Sequence, residues 1–176
     1  MLNRRLFFAL WPTAAIRAQL AAQVQPHAAL GRAIAARNLH VTVVFLGAVP
    51  EDRIGQVREI AGSIQKLTFD GKFLLQLDRM EFWRRSQLIA LLAEQTPPQL
   101  LKVVDGLRSG LRERGFELRD YDKFRAHVTL VRDVTRWSAA AGVAPVQWPV
   151  DSFALVESKV GQRDSQYAVL DEWRLA

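Results

Sequence analysis

Two short segments of the chain are near copies of one another. Asn38-Leu39-His40-Val41-Thr42-Val43 is echoed by Arg125-Ala126-His127-Val128-Thr129-Leu130. Both carry the β-branched alternation of a strand. Side chains alternate across a strand, so residues i and i+2 share one face. His40 and Thr42 therefore project together, while Val41 and Val43 turn to the opposite, buried face. His127 and Thr129 repeat this over Val128 and Leu130. The fold must hold two such strands, each apolar below and bearing one imidazole and one hydroxyl above.

The rest of the chain offers more strands than helices. Residues 6–10 form an aromatic-rich strand. Pro12 suits the first turn of a helix in which Ile16, Leu20 and Val24 recur at helical spacing. Residues 28–37 read as loop, and 41–46 as a strand stopping at Gly47. A second helix is expected over 51–64, with Ile54, Val57, Ile60, Ala61 and Ile64 on one face and acidic residues in its first turn. Residues 69–77 alternate as a strand, and 87–93 form another. Pro97-Pro98 starts a third helix over 99–114, with Leu100, Val103, Val104, Leu107 and Leu111 inward and Gly115 closing it. Residues 127–131 are the second motif strand. The Ala-, Gly- and Pro-rich stretch 135–149 reads as loop, and 152–160 with 166–173 as a closing hairpin around Gly161. The stretch 79–86, with Phe82, Trp83, Arg84 and Arg85, is open between a substrate flap and a hairpin turn. The order β-α-β-α-β-β-α-β-β-β indicates an α+β protein with largely antiparallel sheet.

At 176 residues, 1–176 is read as one domain. The chain has no Cys, which removes disulfide frameworks, thiolate metal sites and cysteine nucleophiles. Its net charge of +6 attracts polyanions such as RNA without demanding one. The longest charge-free runs, 18–31 and 137–150, contain Gln and Pro and fall short of the roughly 18 apolar residues of a membrane span. The apolar stretch near the start is cut by Pro12 and then Arg17, so it is read as a strand rather than a signal peptide, and a cytoplasmic protein is expected.

Two imidazoles suit chemistry that needs one base and one acid near neutral pH. Two hydroxyls suit hydrogen bonds to an oxyanion. Together they describe a site for hydrolysing a phosphodiester without metal. A lone His on a half-buried strand is usually structural, and Thr is common in strands. The duplication reverses that preference. His27, in a Pro-containing segment, has no such context and is read as incidental. A metal site is the competing reading of two His, but Thr is a poor zinc ligand and no His/Asp/Glu cluster has ligand spacing. There is no Gly-rich phosphate loop and no Ser nucleophile elbow.

With both motifs and their flanks in view, the chain resembles the 2H phosphoesterase superfamily, named for two His-x-Thr-x motifs. Within it, the chain is similar to the bacterial RNA 2′,3′-cyclic phosphodiesterases, also called 2′-5′ RNA ligases. Arg5-Leu6-Phe7-Phe8-Ala9-Leu10 resembles the family's first strand. Asn38 through Gly47 and Phe124 through Arg132 match the two motifs. Ser158 to Gly161, Tyr167, Leu170 and Trp173 resemble the terminal hairpin. The resemblance implies a bilobal fold of two mainly antiparallel sheets, pseudo-twofold about a central cleft, with helices on the outer faces. It implies His40 as proton donor, His127 as proton acceptor, and Thr42 and Thr129 on the phosphate.

The implied reaction opens an RNA 2′,3′-cyclic phosphate to a 2′-phosphomonoester. Family members also join RNA ends through a 2′-5′ bond without ATP. No cofactor, metal or membrane is implied. The expected partners are RNA ends bearing 2′,3′-cyclic phosphate, tRNA fragments among them, and the expected state is a monomer. A 2H enzyme acting on another cyclic or 2′-5′-linked nucleotide, or a non-catalytic RNA-end-binding protein, are the alternatives.

The residues add three points. The family often has Pro before the second motif His, where this chain has Ala126. Arg132 resembles a phosphate-binding position, yet strict alternation from His127 sends it to the wrong face, so the strand must end or twist near Val131. Phe8 and Tyr167 are expected to stack on a terminal base. Phe7 is the competing choice to Phe8, because neighbours on a strand face opposite ways.

Overall fold

The computed structural model describes residues 2–66, 72–119, 123–138, 143–160 and 165–175. Its strands are β1 (Asn3–Leu10), β2 (Arg32–Ala33), β3 (Val41–Pro50), β4 (Phe73–Leu77), β5 (Arg79–Trp83), β6 (Leu88–Leu92), β7 (His127–Arg132), β8 (Val146–Val150), β9 (Ser152–Val160) and β10 (Ser165–Arg174). Its helices are α1 (Ala14–Val24), α2 (Ile54–Lys66) and α3 (Pro98–Glu113). The large sheet runs β10-β9-β1-β3-β7-β6-β5, with β2 added to β7, and β4 and β8 form a separate two-stranded sheet. Every strand pairing is antiparallel.

The two motif strands meet at the middle of the large sheet. They share a single register pair, Val41 with Val128, and each leans on a neighbour in its own half: β3 on β1, β7 on β6. The valines beneath them are buried in one apolar cluster with Ile16 and Leu20 of α1, Val57 of α2 and Leu107 of α3. Burying each such side chain contributes roughly 1.5–3 kcal/mol, so the helices fix which face of the motif strands points down. The faces carrying His and Thr are left to the cleft.

The halves also share an irregularity. Ala9 pairs with Thr42 but Phe8 with Val44, so Val43 is an extra residue in β3. Ala90 pairs with Thr129 but Ile89 with Val131, so Leu130 is an extra residue in β7. These β-bulges stand at matching positions of the two motifs. A bulge turns the following residues over, and Val43-Val44 and Leu130-Val131 are accordingly buried as adjacent pairs.

Several expectations change. Thr13 is the cap of α1, its Oγ1 accepting from the Ile16 N–H, so Pro12 lies just before the helix rather than in its first turn. Residues 51–53 form a 3₁₀ turn ahead of α2. The 28–37 loop holds parts of two 3₁₀ turns and β2. The 135–149 loop ends in β8, whose Val146, Trp148 and Val150 are buried in register with Leu77, Leu75 and Phe73. Pro149 disguises that strand, but it lies on the exposed face of a two-stranded sheet, where a missing N–H is tolerated. The 79–86 stretch is a hairpin: β5 pairs with β6, and Gln87 takes the positive φ of 51° at its turn. Gly161 and the start of the 69–77 strand lie outside the described residues.

Candidate active site

An antiparallel pair at Val41 and Val128 sets His40 beside Thr129 and Thr42 beside His127 at the flanking positions. The four side chains form a square across the seam. All four line a cavity of about 470 Å³, together with Arg132 and Tyr167.

Both imidazoles are braced alike. His40 Nδ1 lies 2.6 Å from the carbonyl oxygen of Asn38, and His127 Nδ1 lies 2.8 Å from that of Arg125. A carbonyl only accepts, so Nδ1 carries the proton in each ring and Nε2 is left for exchange. His40 Nε2 is 3.0 Å from Thr42 Oγ1. Rings crowd the pair. Phe7, Tyr167 and Trp11 stand 4.9, 5.2 and 5.7 Å from His40, and Trp83 stands 4.6 Å from His127. Burial therefore pushes the His40 imidazole down to about 4, against the pull of the Asn38 carbonyl and with help from the charges of His127 and Arg132. Burial lowers His127 too, and the Arg125 and Arg132 charges add to it.

Across residues 11–162 the sequence matches the family model described as the 2′-5′ RNA ligase superfamily. The chain belongs to that superfamily of 2H phosphoesterases. The RNA 2′,3′-cyclic phosphodiesterase of Escherichia coli K12 is 33% identical, covering 98% of this chain and 97% of that protein. The enzyme of the same name from Thermus thermophilus is 29% identical over 97% of this chain and 90% of that one. The crystal structure of E. coli LigT complexed with 3′-AMP superposes with a TM-score of 0.88 at 30% identity, covering 99% of both chains.

The bulge at Leu130 meets the condition that alternation set for Arg132 in this 2H protein. It turns Arg132 back to the side of His127 and Thr129, and the side chain lines the cavity. The matching residue of β3 is Phe45, also in the cavity wall, with the Arg5 guanidinium 5.0 Å over its ring. The square is thus symmetric in His and Thr but asymmetric in charge. Gly31 passes so close to β7 that a Cβ there would run into the Arg132 carbonyl oxygen.

Phe8 requires correction. It is fully buried on the core face, with its ring 6.0 Å from both Phe153 and Trp173, and Phe7 takes the cleft position instead. Tyr167 does line the cavity, edge-on to Phe7 at 5.2 Å. His27 is buried, its ring centroid 6.2 Å from that of Trp137 in an edge-on arrangement, a packing role away from the cavity. Ala126 is fully buried, and its carbonyl accepts from the Ala93 N–H at 3.0 Å, so the pairing of β6 with β7 holds the backbone just ahead of His127. Arg5 and Arg32 are also in the wall; Arg5 lay in the first-strand segment without being singled out as a site residue, and Arg32 stood in no motif. Among the described residues no group of three or more His, Asp or Glu is placed to hold a metal ion, and no helix is long and apolar enough to cross a membrane.

Proposed function

We propose that this chain opens 2′,3′-cyclic phosphate ends of RNA to 2′-phosphomonoesters by acid–base catalysis between its two imidazoles. The observation that carries the reading is the square of His40, Thr129, Thr42 and His127, with both Nδ1 atoms tied back to backbone carbonyls and both Nε2 atoms turned to proton exchange, that of His40 resting on the Thr42 hydroxyl. His127 Nε2 takes a proton from water as the water oxygen attacks phosphorus. The bond from phosphorus to O3′ breaks, and His40 Nε2 gives its proton to O3′. The rings are braced alike, so the direction of transfer follows the family resemblance. Thr42 and Thr129 donate to the non-bridging oxygens, and Arg132 balances their charge. Tyr167, half-buried in the cavity wall, offers a face for the terminal base, and the buried Phe7 packs edge-on behind it.

The donor set supports chemistry without a metal, so activity should survive EDTA. Loss on chelation with recovery on adding zinc would overturn that part. A panel of RNA oligomers ending in 2′,3′-cyclic phosphate, free cyclic nucleotides and 2′-5′-linked dinucleotides tests the substrate. The oligomers should be turned over best, and a preference for free nucleotides overturns the RNA reading.

The pH profile tests the pair. Turnover needs one ring neutral and the other protonated. Above both folded values the acid is lost, and below both the base is lost. Both values lie below the usual 6.5, with His40 near about 4. The kcat/KM profile should therefore be a bell peaking on the acid side of 6.5. Bound phosphate favours the imidazolium, so the kcat profile should sit at higher pH than kcat/KM. A kcat/KM optimum on the alkaline side of 6.5 contradicts the paired assignment.

A further inference from the structure

Strand β5 takes no part in the hydrolysis described so far, yet it shares a face with the motif side chains. Arg79, Glu81 and Trp83 stand two residues apart, so they project together. They are in register with Leu92, Ala90 and Leu88 of β6, and Leu92 and Ala90 are in register with His127 and Thr129 of β7. Trp83 packs across Leu88, Ala90 and Leu92 and reaches the His127 ring, 4.6 Å between centroids.

Glu81 ties this arrangement together. Its Oε2 accepts from the Trp83 indole N–H at 2.9 Å, and its Oε1 accepts from the Arg125 guanidinium at 2.8 Å. That guanidinium lies 5.6 Å over the Trp83 ring, and the backbone carbonyl of Arg125 is the one that orients His127 Nδ1. A single carboxylate therefore holds both the ring that covers His127 and the residue that braces it. The other half has the ring and the cation without the carboxylate. Trp11 stacks on His40 at 5.7 Å and the Arg17 guanidinium lies 6.0 Å over Trp11, but Arg17 bonds the Pro12 carbonyl and, among the described residues, no carboxylate.

We infer that Glu81 is a positioning residue for the reaction, fixing the His127 imidazole through Trp83 and Arg125 in the pose that exchanges the proton. The inference rests on the role given to His127 above and deepens it. Charge follows the same route. Arg125 ahead of β7 and Arg132 at its end both disfavour the His127 imidazolium, and His40 faces it across the seam. Arg108, Arg119 and Lys123 line a cavity that Trp83, Arg125 and His127 also line. Glu81 is the carboxylate set against this excess of cations. The Arg125 hydrogen bond holds its carboxyl below the usual carboxylate range, so it is ionised near neutral pH. Arg79, 3.1 Å from Oε1, also pairs with it and reaches Glu94 at 3.9 Å.

The test compares the native chain with Glu81→Gln and Glu81→Ala. Misplacing a reacting group by about 1 Å can cost ~100-fold, so Glu81→Ala should lower kcat on an RNA 2′,3′-cyclic phosphate roughly tenfold or more, with KM nearly unchanged. Glu81→Gln keeps the shape and an acceptor oxygen but loses the charge, so it should lose less. Proton NMR of the three imidazoles gives the second reading and needs no substrate. In Glu81→Gln the Arg125 charge is left unbalanced, so His127 should titrate at lower pH than in the native chain, while His40 scarcely moves. A native kcat in both folded variants overturns the inference. So does a loss of kcat with the His127 titration unmoved, which is the mark of a merely structural ion pair, and so does a raised KM with kcat kept, which would make Trp83 and Arg125 substrate contacts. Should Glu81→Ala fail to fold, the isosteric Glu81→Gln carries both readings. Absence of hydrolysis by the native chain would overturn the hydrolytic reading beneath, and the NMR titration would still decide whether Glu81 governs His127.

Discussion

His40→Ala and His127→Ala should each lower turnover of an RNA 2′,3′-cyclic phosphate by at least ~100-fold while the chain stays folded. A positioned general acid or base contributes about 10²- to 10⁴-fold, and each substitution removes one. Folding should survive because each ring is half-buried at the cleft and is tied through Nδ1 only to the carbonyl two residues back. The strands are anchored from below by Val41 and Val128, both fully buried. A lost hydrogen bond of this kind costs about 1 kcal/mol, small against the stability of a domain. The two imidazoles act on one proton transfer chain, so the double variant should lose little beyond the worse single one. The measurement is single-turnover hydrolysis by each variant, with circular dichroism to verify folding. Either folded variant running at the native rate would remove the mechanism.

The legible part of this molecule was whatever repeats along the chain. Two His-Val-Thr segments with apolar undersides predicted paired faces, and the helices showed their inward stripes at Ile16, Leu20 and Val24 and again from Leu100 to Leu111. Long-range partnership was harder. β8 carries Pro149 and no run of β-branched residues, and it becomes a strand only because β4 lies alongside it. The choice between Phe7 and Phe8 turned on which face of β1 the helices cover, a tertiary fact that neighbouring aromatic residues do not encode. The bulges did leave a mark. After each Thr the alternation breaks into two adjacent apolar residues, Val43-Val44 and Leu130-Val131, at matching positions. A broken period repeated in both motifs is a signal for a shared bulge, and it bears directly on Arg132.

Arg132→Ala should lower kcat by about 100-fold, the loss typical when one preorganised donor to a developing oxyanion is removed. The bulge at Leu130 is what makes this expectation physical, because without it the side chain would leave the cavity wall. A second readout separates this role from a structural one. The Arg132 charge helps to hold both imidazoles below their usual value, so removing it lets both rise. The bell-shaped kcat/KM profile of Arg132→Ala should then shift toward higher pH. Stability should scarcely change, since the residue is exposed at the strand end and surface substitutions usually stay within about 0.5 kcal/mol. Arg132→Lys retains the cation but loses the planar fork, so it should keep the native pH profile and recover only part of the rate. Phe45 supplies the internal comparison: it occupies the matching place on β3 without a charge, so Phe45→Leu should leave the pH profile where it is. A native rate and an unmoved pH profile in Arg132→Ala would show that the asymmetry of charge across the square has no part in the reaction.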